Sequence, residues 1–214
     1  MNGKRRYIKR KCDHSCYPPG VSDRKCALSL KDLYGVAMDA KTLKLHTVSD
    51  IEEMDADVRA ELIDGQIYYM AVPDTLHQDI SMRLSVDISN YIRRNHKDCR
   101  VYAAPFAVYL NDDDFNYVEP DISVICDKSR IDTKGCHGAP DWVIEIVSPA
   151  SVRMDYSIKL FKYRDAGVKE YWIVDPSVRE IKVRDLERED YFRYSFDEPV
   201  PCRHLEGLEI DLSE

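Results

Sequence analysis

Between Asp79 and Asn95, apolar side chains recur at Ile80, Leu84, Ile88, Tyr91 and Ile92. Steps of three and four predict an amphipathic helix with one buried stripe. Upstream, Glu61-Leu-Ile-Asp64-Gly65-Gln-Ile-Tyr-Tyr-Met70 places two apolar runs around Asp-Gly, the pattern of a β-hairpin with a two-residue turn. Ser49-x-x-Glu52 has the form of a capping box and predicts a short helix. Val101 to Leu110 predicts a strand, closed by a turn at Asn111 to Asp114. Ile122 to Cys126 predicts another, and 127–139 is a polar loop with Gly135 and Gly138. Trp142 to Val147 reads as a strongly apolar strand, and Ser148-Pro149 breaks it. Val152 to Ala166 predicts a helix stopped by Gly167. Lys169 to Val174 and Arg179 to Val183 predict strands across an Asp175-Pro176 turn, and the tail adds one or two more. The order predicts an α/β (α+β) sandwich around a mixed sheet.

Composition narrows the class. The 214 residues are 44% apolar and 33% charged, too apolar for a disordered chain and too mixed for a coiled coil. No apolar run approaches the roughly 20 residues of a membrane span. The basic start has no apolar stretch behind it, so a cytoplasmic protein without membrane association is expected. Residues 1–44 hold 11 basic and 4 acidic groups; the other 170 hold 20 and 35. Hence 1–44 reads as a basic arm, partly helical or flexible, and 45–214 as the compact domain. A body so acidic does not coat nucleic acid non-specifically, although the run Lys4-Arg5-Arg6-x-x-Lys9-Arg10-Lys11 suits phosphates as well as a solvated tail. Seven irregularly spaced cysteines predict reduced thiols. Cys12-x3-Cys16, with His14 and Cys26 nearby, has a zinc-like spacing but lacks a second close pair to complete a tetrahedron.

The chemistry gathers on carboxylates. Glu145 interrupts Trp142-Val-Ile-Glu-Ile-Val, a run apolar on both faces and so expected to be buried. A buried carboxylate is costly unless paired or bound to a metal. Pro120-Asp121 and Pro140-Asp141 each open a strand. Asp141 and Glu145 share one strand, about 13 Å apart at roughly 3.3 Å per residue, which makes Asp141 a cap or turn residue. Asp121 and Glu145 lie on different strands and can meet across the roughly 4.8 Å between neighbours. Around the second helix Val152, Tyr156, Leu160 and Tyr163 form the apolar sector, with Lys159 at its border. Lys159 then either extends inward or lies on the surface paired with Asp155. Glu61 reads as a solvent-facing strand residue or a site acid, and His77, just before the long helix, as helix entry or accessory site. Two or three carboxylates plus a lysine suit metal-assisted phosphodiester hydrolysis. A lysine can orient water and add charge at the developing oxyanion. Signatures for Ser-His-Asp, P-loop and GxGxxG chemistry are absent.

These residues resemble the Uma-type restriction endonuclease family of the PD-(D/E)xK nuclease superfamily. The matching segments are Glu61-Leu-Ile-Asp-Gly-Gln-Ile, His77-Gln78, Ala104-Pro-Phe-Ala-Val, Glu119-Pro-Asp121-Ile-Ser-Val, Ala139-Pro-Asp-Trp-Val-Ile-Glu145-Ile-Val-Ser-Pro, Asp155-x3-Lys159-x3-Tyr163 and Gly167-Val-Lys-Glu-Tyr-Trp-Ile-Val-Asp-Pro176. The resemblance implies a restriction-endonuclease-like core in the order αβββαβ, Mg²⁺- or Mn²⁺-dependent cleavage of nucleic acid, DNA as the expected substrate, and a homodimer. It implies Asp121, Glu145 and Glu61 as metal-binding acids and Lys159 as the catalytic amine. Two positions depart from the pattern: Val147 stands where the superfamily usually has lysine, and Ala60 where this branch often has an aromatic residue. The alternatives are a catalytically silent binding module of the same fold, and a hydrolase of RNA or a small phosphoester.

Overall fold

A computed structural model of the protein describes residues 44–55, 57–111 and 113–213. The expectations for the basic arm and its cysteines fall outside these residues. The elements are α1 (Val48–Glu52), β1 (Ala60–Ile63), β2 (Gln66–Tyr69), α2 (Thr75–Arg94), β3 (Arg100–Ala103), β4 (Val108–Tyr109), β5 (Tyr117–Val118), β6 (Ile122–Ile125), β7 (Cys136–His137), β8 (Trp142–Ile146), α3 (Lys159–Ala166), β9 (Glu170–Asp175), β10 (Glu180–Asp185), β11 (Asp190–Ser195), β12 (Val200–Pro201) and β13 (Glu209–Ile210). A π-helical turn, Met154–Ile158, leads into α3.

A six-stranded sheet in the order β11-β10-β9-β8-β6-β3 forms the centre. Only the β8–β9 pair is parallel, and its crossover carries α3. From α2 the chain runs αβββαβ through β3, β6, β8, α3 and β9, as expected for the fold. Ile80, Leu84, Ile88 and Ile92 of α2 pack with Ile122, Trp142, Ile144 and Trp172 on one face of this sheet. On the other face Val143, Tyr171 and Ile173 meet Tyr163 of α3 and Ile63, Val108 and Val118 of a second sheet, ordered β2-β1-β5-β4-β7. Both faces of β8 and β9 are thus covered, which is why these strands are apolar at nearly every position. Glu145 points to the α3 side, in step with Val143 and Val147.

The Asp64-Gly65 hairpin forms as the sequence predicts. Asp64 and Gly65 have φ of 51° and 72°, and β1 pairs with β2 from Ala60↔Tyr69 to Ile63↔Gln66. Several local expectations change. The short helix is capped by Thr47 and Asp50, whose Oδ2 accepts the Thr47 N–H at 2.7 Å, rather than by Ser49 and Glu52. The long helix starts at Thr75, because Asp74 accepts the His77 N–H at 2.8 Å and caps it there. His77 therefore lies in its first turn. The strand expected over Val101 to Leu110 is two strands in different sheets, divided where Pro105 has no N–H to donate. The tail supplies three strands. Cys99 and Cys126, expected as thiols, are disulfide-bonded. The β3–β6 register, carried one step past Arg100↔Ile125, sets them opposite each other.

Candidate active site

Asp121 stands at the mouth of β6, and Glu145 near the end of β8. Ile122 pairs with Ile144 in antiparallel register, so the next step brings Asp121 opposite Glu145. The Ile146 N–H donates to Asp121 Oδ2 at 2.8 Å, and His77 Nε2 lies 3.2 Å from the same oxygen. Burial draws the His77 imidazolium down, but the hydrogen bond and charge of Asp121 outweigh it and raise its pKa.

The buried face of the helix is shifted from the predicted apolar sector: Tyr163 lies in both, and Tyr156 and Leu160 pack half-buried against the core. Val152 is exposed, whereas Asp155, Lys159 and Tyr163 are 1%, 4% and 0% exposed. This adjacent i, i+4, i+8 row faces the sheet because its polar groups find partners there. Lys159 Nζ lies 2.9 Å from Glu61 Oε2, 3.0 Å from Glu145 Oε1 and 3.7 Å from Asp155 Oδ1. The Tyr163 hydroxyl donates to Glu145 Oε1 at 2.5 Å, and Tyr171 donates to the Asp155 carbonyl at 3.0 Å. Glu61, on the buried strand β1, accepts the Glu119 N–H at 3.1 Å. Glu119 is in turn held by Arg59 at 2.7 Å and the Tyr117 hydroxyl at 2.8 Å. The structure thus brings Glu61, Asp121, Glu145 and Lys159 into one site, with His77 on its margin. The π turn lies within this helix, in a class of local irregularity frequent at functional sites.

Carboxylates outnumber ammonium here, and burial magnifies the imbalance. Burial pushes the Glu145 carboxyl well above its usual range; Lys159 opposes this, while Asp155, Asp121 and Glu61 add to it. Burial lifts Asp155 to about 6 against the pull of Lys159. Burial alone would lower the Lys159 ammonium, but Glu145, Glu61 and Asp155 hold it well above its ordinary value. Tyr163 is raised by burial and by Glu145, so it serves as a neutral donor.

Two oxygens of the site are open to a hard divalent cation. Glu61 has both oxygens engaged, and Asp121 and Glu145 each receive their hydrogen bonds on one oxygen. Asp121 Oδ1 and Glu145 Oε2 thus accept no hydrogen bond among the described residues. Mg²⁺ is held by one or two carboxylates and keeps several waters, so two such oxygens suffice. Asp141 lies at the far end of β8, where it accepts the Cys126 N–H and Lys169 Nζ, each at 2.7 Å. It is an anchor outside this site, as strand spacing predicts. Asp155 and Tyr163, which share the matching segment with Lys159, also belong to the site. Their shared i, i+4, i+8 spacing with Lys159 was the available signal.

Three similarities place the chain among known proteins. Residues 47–213 match the family model Uma2, described as "Putative restriction endonuclease". An uncharacterized Synechocystis sp. protein, slr1290, is 30% identical over 122 residues, covering 56% of this chain and 63% of that protein. The chain thus spans less than two thirds of that relative's length. A solved structure of a putative nuclease belonging to DUF820 from Anabaena variabilis superposes with a TM-score of 0.64 at 20% identity. The match covers 78% of this chain and 94% of that one, and it shows the shared restriction-endonuclease-like fold. The chain belongs to the Uma2 putative restriction endonuclease family.

Proposed function

We propose that this protein is a Mg²⁺- or Mn²⁺-dependent endonuclease that hydrolyses DNA phosphodiester bonds. The observation that carries the reading is the ammonium of Lys159, buried between Glu61 and Glu145 beside Asp121. Asp121 and Glu145 would hold the metal ion, which when bound supplies a water of lowered pKa and charge stabilisation at the phosphate. Lys159 stays charged, so it orients the attacking water and offsets negative charge in the transition state rather than acting as a base. Glu61 and Tyr163 position Lys159 and Glu145. His77 fixes one oxygen of Asp121 and leaves the other free for the ion.

The DNA preference rests on the family description. The acidic body makes the basic arm the source of positive surface for phosphates. A homodimer follows from the need to cut two strands with one site per chain, and sedimentation as a monomer at micromolar concentration would contradict it. The near-complete burial of Glu145 and Lys159 favours one rival, a binding module that keeps the fold without turnover.

Two substitutions separate the roles. Asp121→Asn is expected to lose both Mn²⁺ binding by calorimetry and cleavage. Lys159→Met is expected to keep Mn²⁺ binding while cleavage falls by about 10²-fold or more, the scale of losing one transition-state donor. Undiminished cleavage in either variant would remove the assignment. DNA binding without cleavage by the wild type would support the module instead.

A further inference from the structure

The opposite end of β6 and β8 carries a second set of ligand-type side chains, with no part in the chemistry above. Among the described residues, Cys126, Asp141 and His204 form a group whose ligand atoms all lie within 4.8 Å of one another. Cys126 Sγ is 3.4 Å from His204 Nε2, and His204 Nε2 is 3.9 Å from Asp141 Oδ1. Cys99, bonded to Cys126, stands outside this group and would bring a fourth donor by turning toward it once the bond is broken. We propose that these four residues form a zinc site when the Cys99–Cys126 bond is reduced, and that the disulfide is its metal-free, oxidised form.

The separations from His204 to Cys126 and to Asp141 suit two edges of a tetrahedron. With Zn–S near 2.3 Å and Zn–N or Zn–O near 2.1 Å, neighbouring N, O and S donors stand about 3.4–3.6 Å apart. The spacings of 3.4 and 3.9 Å already bracket that value. The two sulfurs need to part to about 3.8 Å, which breaking their bond permits.

The frame that presents these donors is built independently of any ion. Cys126 and Asp141 end adjacent strands, and the Cys126 N–H fixes Asp141 Oδ2 at 2.7 Å. This leaves Oδ1 toward His204. The loop bearing His204 folds around Glu170, which is buried at 1% exposure. Glu170 accepts the backbone N–H of His204 at 2.6 Å and that of Arg203 at 3.0 and 3.1 Å. One competitor occupies the site: Lys169 Nζ, 2.7 Å from Asp141 Oδ1. Its side chain is 45% exposed and can swing into water. Thiolate with imidazole selects zinc over the hard cations that suit the carboxylate site. The two sites stand five residues apart along β6, about 17 Å at roughly 3.4 Å per residue.

The redox step balances through thiol–disulfide exchange. A dithiol reductant transfers two electrons and two protons to the sulfur–sulfur bond and becomes a disulfide, leaving two cysteine thiols. Zn²⁺ then replaces the two thiol protons, which pass to solvent.

The test uses the full chain with Cys12, Cys16 and Cys26 replaced by serine, so that no arm thiol contributes. After reduction and removal of the reductant, Co²⁺ is titrated and then displaced by Zn²⁺. One equivalent of Co²⁺ should bring thiolate charge-transfer absorption and a tetrahedral ligand-field band, both abolished by Zn²⁺. The oxidised chain should show neither. His204→Ala, a change in a loop side chain that leaves the core intact, should weaken Co²⁺ binding at least tenfold, as should Cys99→Ser. Absence of charge transfer in the reduced chain would overturn the proposal. So would unchanged affinity in His204→Ala, read from the charge-transfer band, or the same band from the oxidised chain.

Discussion

At the scale of single residues, the site is a contest between burial and pairing. A carboxylate in a sheet covered on both faces is expensive, and Glu145 persists there because Lys159 and Tyr163 meet it at 3.0 and 2.5 Å. Asp155 carries the measurable consequence. Burial lifts its carboxyl from 3.8 to about 6 in the folded chain. The folded state therefore binds a proton that the unfolded state gives up first, so the Asp155 contribution to stability falls as pH rises between these values and levels off above them. Asp155→Asn should flatten that slope, read as the urea midpoint across this window. An unchanged slope would show that Asp155 ionises normally. Glu145 and Asp121 were legible from the sequence because each breaks a local rule. One is a charge in an apolar run, and the other follows a proline at a strand mouth. Lys159 and Glu61 were ambiguous without the fold, since a lysine and a glutamate at the edge of an amphipathic pattern are ordinary surface residues until something covers them.

At the scale of elements, turn and cap chemistry decided what could be read. Asp64-Gly65 specified its hairpin because both positions need positive φ, which Asp tolerates and Gly adopts freely. The long helix was readable through Ile80, Leu84, Ile88 and Ile92, but its first turn was not, since Leu76 is exposed and adds nothing to the stripe. That turn matters because Asp74 fixes the helix start and so the place of His77 beside Asp121. Asp74→Ala should cost about 1 kcal/mol of stability. Its sharper reading is the His77 titration followed by NMR: fraying of the first turn should move the imidazole pKa back down toward its ordinary value. A His77 titration identical to wild type would show that the cap does not position it. The strand over 101–110 was misread because its residues favour extended backbone throughout, and only Pro105 marks the point where the chain changes sheets.

At the scale of the whole molecule, the six-stranded sheet acts as a plate between two cores. α2 covers one face; α3 and the second sheet cover the other. The acids stand on the second face, where β1 delivers Glu61 from outside the central sheet. That long-range delivery was invisible to periodicity. The αβββαβ order was legible because apolar strands and one amphipathic helix alternate plainly in the sequence. On the proposed function, this assembled site cuts DNA with a bound divalent ion. The most direct test is nicking of supercoiled plasmid by the full chain in Mg²⁺, in Mn²⁺ and in EDTA, beside Glu145→Gln. Metal-dependent nicking by the wild type is expected, abolished by EDTA and lost in the variant while its fold, judged by circular dichroism, is retained. Nicking that survives EDTA, or that Glu145→Gln performs as well as the wild type, would contradict it.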